Sequence, residues 1–233
     1  MEKRITHVIH FIQMQILRGS IIYVLFIIGA INPTYSKAAK ADDMHQLWLD
    51  CKLDGKVSYQ IFNLAMQGYH LMDNLKKKNL LTIIDYSKPS NEKRFLVIDL
   101  VHKKLLYHCL VAHGKNTGEN SATNFSNQSN SLKSCLGFFI TAETYSGENG
   151  YSLRLDGLEK DINSNARARD IVIHGADYVS EQFIKNYGRL GRSWGCPALP
   201  IKVSKQIIDT ISGGSCLFIY GNGYRENSKL LNN

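Results

Sequence analysis

Proline is scarce in this sequence, with 4 residues among 233 against 18 glycines. Internal repeats and low-complexity tracts are also missing, so collagen-like and repeat architectures are excluded. Charged residues make up 21% and hydrophobic residues 44%, a balance that excludes a coiled-coil rod and a wholly disordered chain. The length allows one large domain or two small ones. The 12 Tyr and 9 Phe residues favour a fold rich in strands and turns.

A long apolar run is missing as well. The uncharged segment 21–31 has 11 residues, whereas a helix that spans a bilayer needs about 20. A basic start, this short apolar core and the small residues after it are typical of a secretory signal peptide. We predict such a leader over residues 1–38, cleaved after Ala38 or Ala41, with an uncleaved anchor as the alternative. We therefore expect an exported protein of the periplasm or cell envelope that touches the membrane only through an uncleaved leader.

The formal net charge of +8 does not indicate a polyanion-binding protein. Residues 1–41 hold five Lys or Arg and one acidic residue, so the rest of the chain has 23 basic and 19 acidic residues. The one basic run, residues 76–78, stands at the end of a predicted helix, where it complements the helix dipole. We therefore expect no nucleic-acid partner.

The spacing of apolar residues divides the exported part into three regions. Residues 42–80 have helical spacing and are predicted to form an N-terminal helical flank. Residues 81–222 alternate short apolar runs with turns, which predicts one mainly β domain with a few helices. Residues 223–233 are predicted to be a polar tail that frays. Strands are predicted at residues 80–85, 95–99, 105–112, 136–142, 151–155, 170–173 and 216–220. One or two helices are predicted over residues 57–78, with Gly68 as a possible break, a helical turn at 180–186 and a helix at 203–211.

The five cysteines are an odd number, so at least one has no partner within the chain. An exported protein can form disulfides, and a pairing of Cys109 with Cys135 stays open. His102, His108 and His113 cluster in one predicted hairpin, but their spacing matches neither an HExxH motif nor a Cys/His zinc pattern. We therefore expect no metal and no cofactor.

Two segments combine the residue types of a thiol nucleophile site. Residues 171–178, IVIHGADY, place His174 at the end of an apolar strand, and residues 188–197, GRLGRSWGCP, place Cys196 in a glycine-rich turn. A Cys nucleophile acts as its thiolate, and a nearby His can accept the proton and return it to a leaving group. Backbone amides brought together around Gly195 can form an oxyanion hole. A structural His and a buried or disulfide-bonded Cys are the alternative interpretation.

These segments resemble the signature of the L,D-transpeptidase catalytic domain family (YkuD-like), a His-Gly pair followed by Ser/Thr-x-Gly-Cys. The resemblance covers residues 81–222 and is closest to the murein L,D-transpeptidase catalytic domain branch. It implies an L,D-transpeptidase-type β-sandwich or barrel with a few helices. It also implies a cysteine acyltransferase that acts on peptidoglycan tetrapeptide stems through a thioacyl-enzyme and makes 3→3 cross-links. An L,D-carboxypeptidase that trims the same stems and a catalytically silent wall-binding module are the alternatives, and we expect a monomer.

The resemblance implies a role for each residue of the turn. Cys196 would be the nucleophile, His174 the general base and acid, and Ser193 a polar support. The backbone amides of Trp194, Gly195 and Cys196 would form the oxyanion hole.

The sequence also departs from the family pattern. Trp194 stands where many members have His, and the Arg that often follows the Cys is missing. We expect Arg192 or Arg189 to replace that Arg in substrate binding. His113 and Tyr178 are further candidates for the substrate contact surface.

Overall fold

The computed structural model describes residues 33–224 and 228–232, so most of the predicted leader lies outside the described residues. The chain divides at Met44, and the unit from His45 onward holds the whole sheet. Among the described helices, none is long and apolar enough to cross a bilayer. The described helices are α1 (Pro33–Asp50), α2 (Tyr59–His70), α3 (Glu181–Tyr187), α4 (Ile201–Ile211) and α5 (Lys229–Asn232), with a 3-10 turn at Lys115–Thr117. The described strands are β1 (Leu80–Asp85), β2 (Phe95–Asp99), β3 (Lys104–Cys109), β4 (Gly137–Gly147), β5 (Gly150–Gly157), β6 (Val172–Ala176), β7 (Ala198–Pro200) and β8 (Cys216–Tyr220).

All of these strands belong to one sheet, in the order β3-β2-β1-β8-β4-β5-β6-β7. β8 lies in its middle, parallel to β1 and antiparallel to β4. β1, β2 and β8 are mostly apolar runs because both of their faces are buried. Ala112 follows β3 and exchanges backbone hydrogen bonds of 2.9 and 3.4 Å with Ala198 of β7. These bonds join the two sheet edges into a nearly closed barrel, and the predicted mainly β fold with a few helices is confirmed.

α2 packs directly on this sheet. It begins after Ser58, whose Oγ accepts a hydrogen bond from Ile61 N over 3.3 Å. A Cβ at Gly68 would fall 2.0 Å from a carbon of the Phe138 ring in β4, so glycine permits the close approach. The sequence predicts helical structure as far as residue 78, whereas this helix ends at His70. α2 is therefore part of the body of the domain, where it packs on β1 and β8 and touches β4 at Phe138.

The C-terminal segment is anchored at two positions. The hydroxyl of Tyr224 donates to Glu159 Oε1 over 2.8 Å, and Ser228 Oγ donates to Glu159 Oε2 over 2.6 Å. The Phe138 amide also donates to Glu159 Oε1 over 2.8 Å. A buried carboxylate is costly unless it is hydrogen-bonded, and the tail supplies part of that bonding. The prediction of a fraying tail is therefore wrong for Tyr224 and Ser228.

All five cysteines are free, so the disulfide that the sequence left open between Cys109 and Cys135 is not formed. Cys109 pairs with Phe95 across the β2–β3 edge of the sheet. Cys135 is buried near the Arg169 side chain, and burial raises the pKa of its thiol to about 11. Burial also raises the pKa of Cys109, to about 12, so both thiols are protonated at neutral pH.

Candidate active site

His174 lies in β6, a buried strand between β5 and β7. The β-branched pair Val172 and Ile173 favours a strand at this position. Across the sheet, His174 pairs with Ser152 on one side and with Ala198 on the other. Ala198 comes two residues after Cys196, so the β6–β7 pairing brings the two predicted catalytic residues to the same region.

The turn that carries the predicted nucleophile is fixed by the segments around it. Ser193 N donates to His113 O over 3.0 Å, and Ser134 Oγ donates to Gly195 O over 2.9 Å. Gly195 has a φ of 133°, and a Cβ there would fall 2.9 Å from Lys133 O. Only glycine fits that conformation and that space, so the turn has one well-defined path.

The Ser193 side chain links two backbone groups within the turn. Its Oγ donates to Cys196 O over 2.6 Å and accepts from Gly195 N over 3.1 Å. The Gly195 amide is thus engaged, whereas the amides of Trp194 and Cys196 donate to no acceptor within the described residues. Those two amides are the free donors of the predicted oxyanion hole in this conformation.

The thiol of Cys196 is nearly buried, with 8% of the residue exposed. Sγ accepts from Val172 N and donates to Asp170 O, both over 3.4 Å, and it makes no hydrogen bond to His174 in this conformation. Burial raises the pKa of the thiol to about 11. Cys196 therefore rests as a neutral thiol and needs a base to become a nucleophile.

His174 has the protonation state of such a base. Its Nδ1 lies 3.0 Å from the carbonyl oxygen of Gly175. A carbonyl only accepts, so Nδ1 carries the proton and Nε2 of the neutral ring has a lone pair. Burial lowers the pKa of His174 below its usual range, which keeps the ring neutral at neutral pH.

His174 and Cys196 open onto one cavity of about 490 Å³, a size suited to a small ligand or a peptide segment. Trp194 stands at its surface with 78% of the residue exposed. Burial raises the pKa of the Tyr178 hydroxyl, so Tyr178 is a neutral wall of the cavity. The lining residues are Glu148, Asn149, Arg169, Asp170, His174, Tyr178, Arg192, Ser193, Trp194 and Cys196.

His113 is not part of this cavity. The residue is 0% exposed, and its Nδ1 accepts a hydrogen bond from Arg94 Nη2 over 2.8 Å. Burial and the Arg94 charge lower the pKa of His113 to about 4. The prediction of a substrate contact at His113 is therefore wrong, because the chain folds this residue beneath the Cys196 turn.

The two predicted substrate-binding arginines, Arg189 and Arg192, both form ion pairs with the carboxylate of Glu119. Arg189 Nε lies 3.0 Å from Glu119 Oε2, and Arg192 Nη1 lies 2.7 Å from Glu119 Oε1. Arg192 lines the cavity, but Arg189 does not. The structure therefore keeps Arg192 as a candidate and does not bring Arg189 to the site.

Comparison with known families places the domain. A model of the L,D-transpeptidase catalytic domain matches residues 53–220. The chain belongs to this family. The match also includes α2, which the sequence had assigned to a flank before the domain.

Several solved structures resemble this family member at low identity. The L,D-transpeptidase from Mycobacterium smegmatis is 13% identical, with a TM-score of 0.39 over 61% of this chain and 59% of that one. L,D-transpeptidase 1 from Mycobacterium tuberculosis is 13% identical, with a TM-score of 0.35 over 61% and 62%. The helical cell shape determining protein Pgp2 from Campylobacter jejuni is 11% identical, with a TM-score of 0.40 over 65% and 52%. The chain thus spans about half to three fifths of the solved proteins it matches, and no curated protein matches it.

Four residues of this L,D-transpeptidase domain's cavity were missed from the sequence. Arg169 and Asp170 directly precede the His174 strand, and that proximity was a usable signal. Glu148 and Asn149 lie in the β4–β5 turn, and only the pairing of the hairpin with the rest of the sheet brings them to the cavity. No local pattern in the sequence indicates that contact.

Proposed function

We propose that this protein is an exported L,D-transpeptidase that acts on peptidoglycan tetrapeptide stems in the cell envelope. The observation that carries the proposal is that Cys196 and His174 line one cavity, with Nδ1 of His174 engaged by Gly175 O so that Nε2 is left to act as a base. A buried neutral thiol at Cys196 faces the same space as a buried neutral imidazole at His174. A thiol with a high pKa needs a general base, and His174 has a free lone pair at Nε2.

The first half-reaction forms a thioester. His174 Nε2 takes the Cys196 proton, and Sγ bonds to the carbonyl carbon at the L-centre of the diamino-acid residue. The negative oxygen of the tetrahedral intermediate would be held by the amides of Trp194 and Cys196. The bond from that carbon to the terminal D-Ala nitrogen then breaks, and the proton on His174 goes to the leaving amine.

The second half-reaction decides the product. An amine of a second stem loses a proton to His174 as it attacks the thioester carbonyl carbon. His174 then returns that proton to Cys196 Sγ as the C–S bond breaks. That sequence makes a 3→3 cross-link. Water in place of the amine would release a trimmed tripeptide, which is the carboxypeptidase alternative.

Product analysis tests the proposal. The purified full-length chain is incubated with tetrapeptide muropeptides, and the products are separated and weighed by mass spectrometry. We expect cross-linked dimers from the wild type and none from Cys196→Ala. Cys109→Ala, which removes a free thiol outside the cavity, is the matched control and should keep full activity.

Each other outcome has a distinct meaning. Trimmed tripeptides without dimers would replace transpeptidation by carboxypeptidation. Unchanged turnover in Cys196→Ala would refute the nucleophile. No change of any stem by the wild type would favour a binding module.

A further inference from the structure

Arg169 is the one cavity-lining arginine without a carboxylate partner in the described part of the chain. Arg192, which also lines the cavity, is paired with Glu119. The Asp170 carboxylate next to Arg169 is paired with Arg154 Nη1 over 3.1 Å. Arg169 therefore makes no direct ion pair within the described residues.

The guanidinium of Arg169 is held by neutral oxygen atoms. Nη1 donates to Ser126 O over 2.6 Å. Nη2 donates to Lys133 O over 2.6 Å and to Ser131 Oγ over 3.1 Å. These three bonds fix the position of the guanidinium, and because every acceptor is uncharged, they leave its full charge in place.

That position is beside the Cys196 turn. A Cβ built on Gly195 would lie 3.5 Å from Arg169 Nη2, so the guanidinium packs against the residue before the nucleophile. A half-buried cation at such range stabilises an anion far more than an exposed one does.

We infer that Arg169 is a positioning residue for the thiol chemistry, whose fixed positive charge favours the Cys196 thiolate and attracts anionic groups to the cavity. The inference rests on the proposed role of Cys196 as the nucleophile.

Other groups around the Cys196 thiol also change its pKa, some upward and some downward. Burial and the Asp170 carboxylate raise the pKa of Cys196, whereas the Val172 amide and Arg169 lower it. His174 is neutral at neutral pH. Arg192 shares the Glu119 carboxylate with Arg189, so that cluster carries one net positive charge at the other end of the cavity. The remaining titratable groups that face the cavity or the Arg169 side chain are Glu148, Tyr178 and Cys135.

Two alkylating reagents of similar size distinguish an effect of the electrostatic potential at Cys196 from an effect of its accessibility. Iodoacetamide is neutral and iodoacetate is anionic, and both modify thiolates. Their rates at Cys196 are followed by mass spectrometry of the peptide that contains it, in the full-length chain at pH 8. The ratio of the iodoacetate rate to the iodoacetamide rate reports the local potential, because a change in accessibility alters both rates alike.

We expect Arg169→Gln to lower the iodoacetamide rate about tenfold, the effect of a shift of one pKa unit. The rate ratio should also fall about threefold as the positive potential is lost. Arg169→Lys keeps the charge and should stay within about twofold of the wild type in both quantities. Arg167→Gln is the matched control, because it removes a cation that is already paired with Asp156 and Glu143.

An unchanged ratio in Arg169→Gln, or an equal fall in Arg169→Lys, would overturn the inference and leave Arg169 a structural residue. If Arg169→Gln does not fold, the wild-type ratio at Cys196 is compared with that of a small neutral thiol. A ratio no higher than that of the small thiol would overturn the inference too. Alkylation needs no substrate, so these outcomes are separate from a failure of the transpeptidase proposal.

Discussion

Nη2 of Arg94 donates a hydrogen bond to Nδ1 of His113 over 2.8 Å in the interior of the domain. A guanidinium only donates, so Nδ1 of His113 is the acceptor and Nε2 carries the proton. Nε2 donates a hydrogen bond to Gly118 O over 3.2 Å. The carbonyl of His113 in turn accepts from Ser193 N over 3.0 Å, so this buried pair supports the Cys196 turn.

The first prediction is an acid sensitivity that comes from His113. Its pKa is about 4 in the fold, against about 6.5 when unfolded. Its contribution to stability is therefore complete above pH 6.5 and is lost as the pH falls toward 4, because the unfolded chain then binds the additional proton.

His113→Gln keeps one acceptor and one donor but cannot titrate. Between pH 6.5 and 4, we expect the wild type to lose about 3 kcal/mol more of its free energy of unfolding than this variant does. Urea unfolding at each pH measures the difference. Parallel curves for the two proteins would contradict a neutral His113.

The second prediction concerns Ser193. Ser193→Ala leaves Cys196 O and Gly195 N without their side-chain partner in a buried turn, at a cost of about 1–3 kcal/mol in the free energy of unfolding. We also expect kcat for stem turnover to fall about 10- to 100-fold, because the nucleophile and the oxyanion amides shift together.

The control for this variant is Ser215→Ala. Ser215 Oγ also makes a buried bond, to Ile211 O over 2.7 Å, but it lies outside the cavity. This variant should lose stability and keep kcat. Equal losses of kcat in both variants would mean that Ser193 acts on stability alone.

The fold could be predicted from the sequence where local pattern and burial agree. The apolar run CLFIY predicts β8 at residues 216–220, where the strand is found, because a central strand buried on both faces has a continuous apolar run. The closure of the barrel could not be predicted, because it depends on two hydrogen bonds between Ala112 and Ala198, far apart in sequence. The sequence also gives no sign that Glu159 is buried and accepts hydrogen bonds from Tyr224 and Ser228, which is why it predicts a fraying tail.

The candidate site divides in the same way. Cys196 and His174 could be predicted as site residues because their turn and strand have local sequence signatures. The contrasting environments of His113 and Arg169 could not be predicted, because each residue lies at one end of a loop whose sequence is polar. Tertiary packing buries the first and leaves the second facing the cavity.

The third prediction concerns the exposed indole of Trp194. Trp194→Ala should leave the free energy of unfolding within about 0.5 kcal/mol of the wild type, because the residue is 78% exposed. KM for the stem should rise about threefold to tenfold as aromatic contact area with the substrate is lost. Trp194→Phe should recover most of that loss. Tyr187→Ala, at a residue that is 65% exposed and outside the cavity, is the control and should leave KM unchanged.

The last prediction is the pH dependence of Cys196 acylation. A carbapenem offers a strained lactam carbonyl to the thiol, and the covalent adduct can be followed by intact-protein mass spectrometry. The reaction needs a neutral His174, whose pKa lies below its usual range of about 6.5 because the ring is buried. The acylation rate should therefore fall only below pH 6.5.

Above that pH the rate should be flat to at least pH 9, because the thiol stays protonated up to its pKa of about 11 and His174 removes the proton in each attack. His174→Gln should convert the plateau into a rate that climbs about tenfold per pH unit, since only free thiolate then reacts. His108→Gln, at a half-exposed ring that faces Lys93 O outside this cavity, should keep the wild-type profile. A wild-type rate that already climbs tenfold per unit between pH 7 and 9 would show that His174 is not the base.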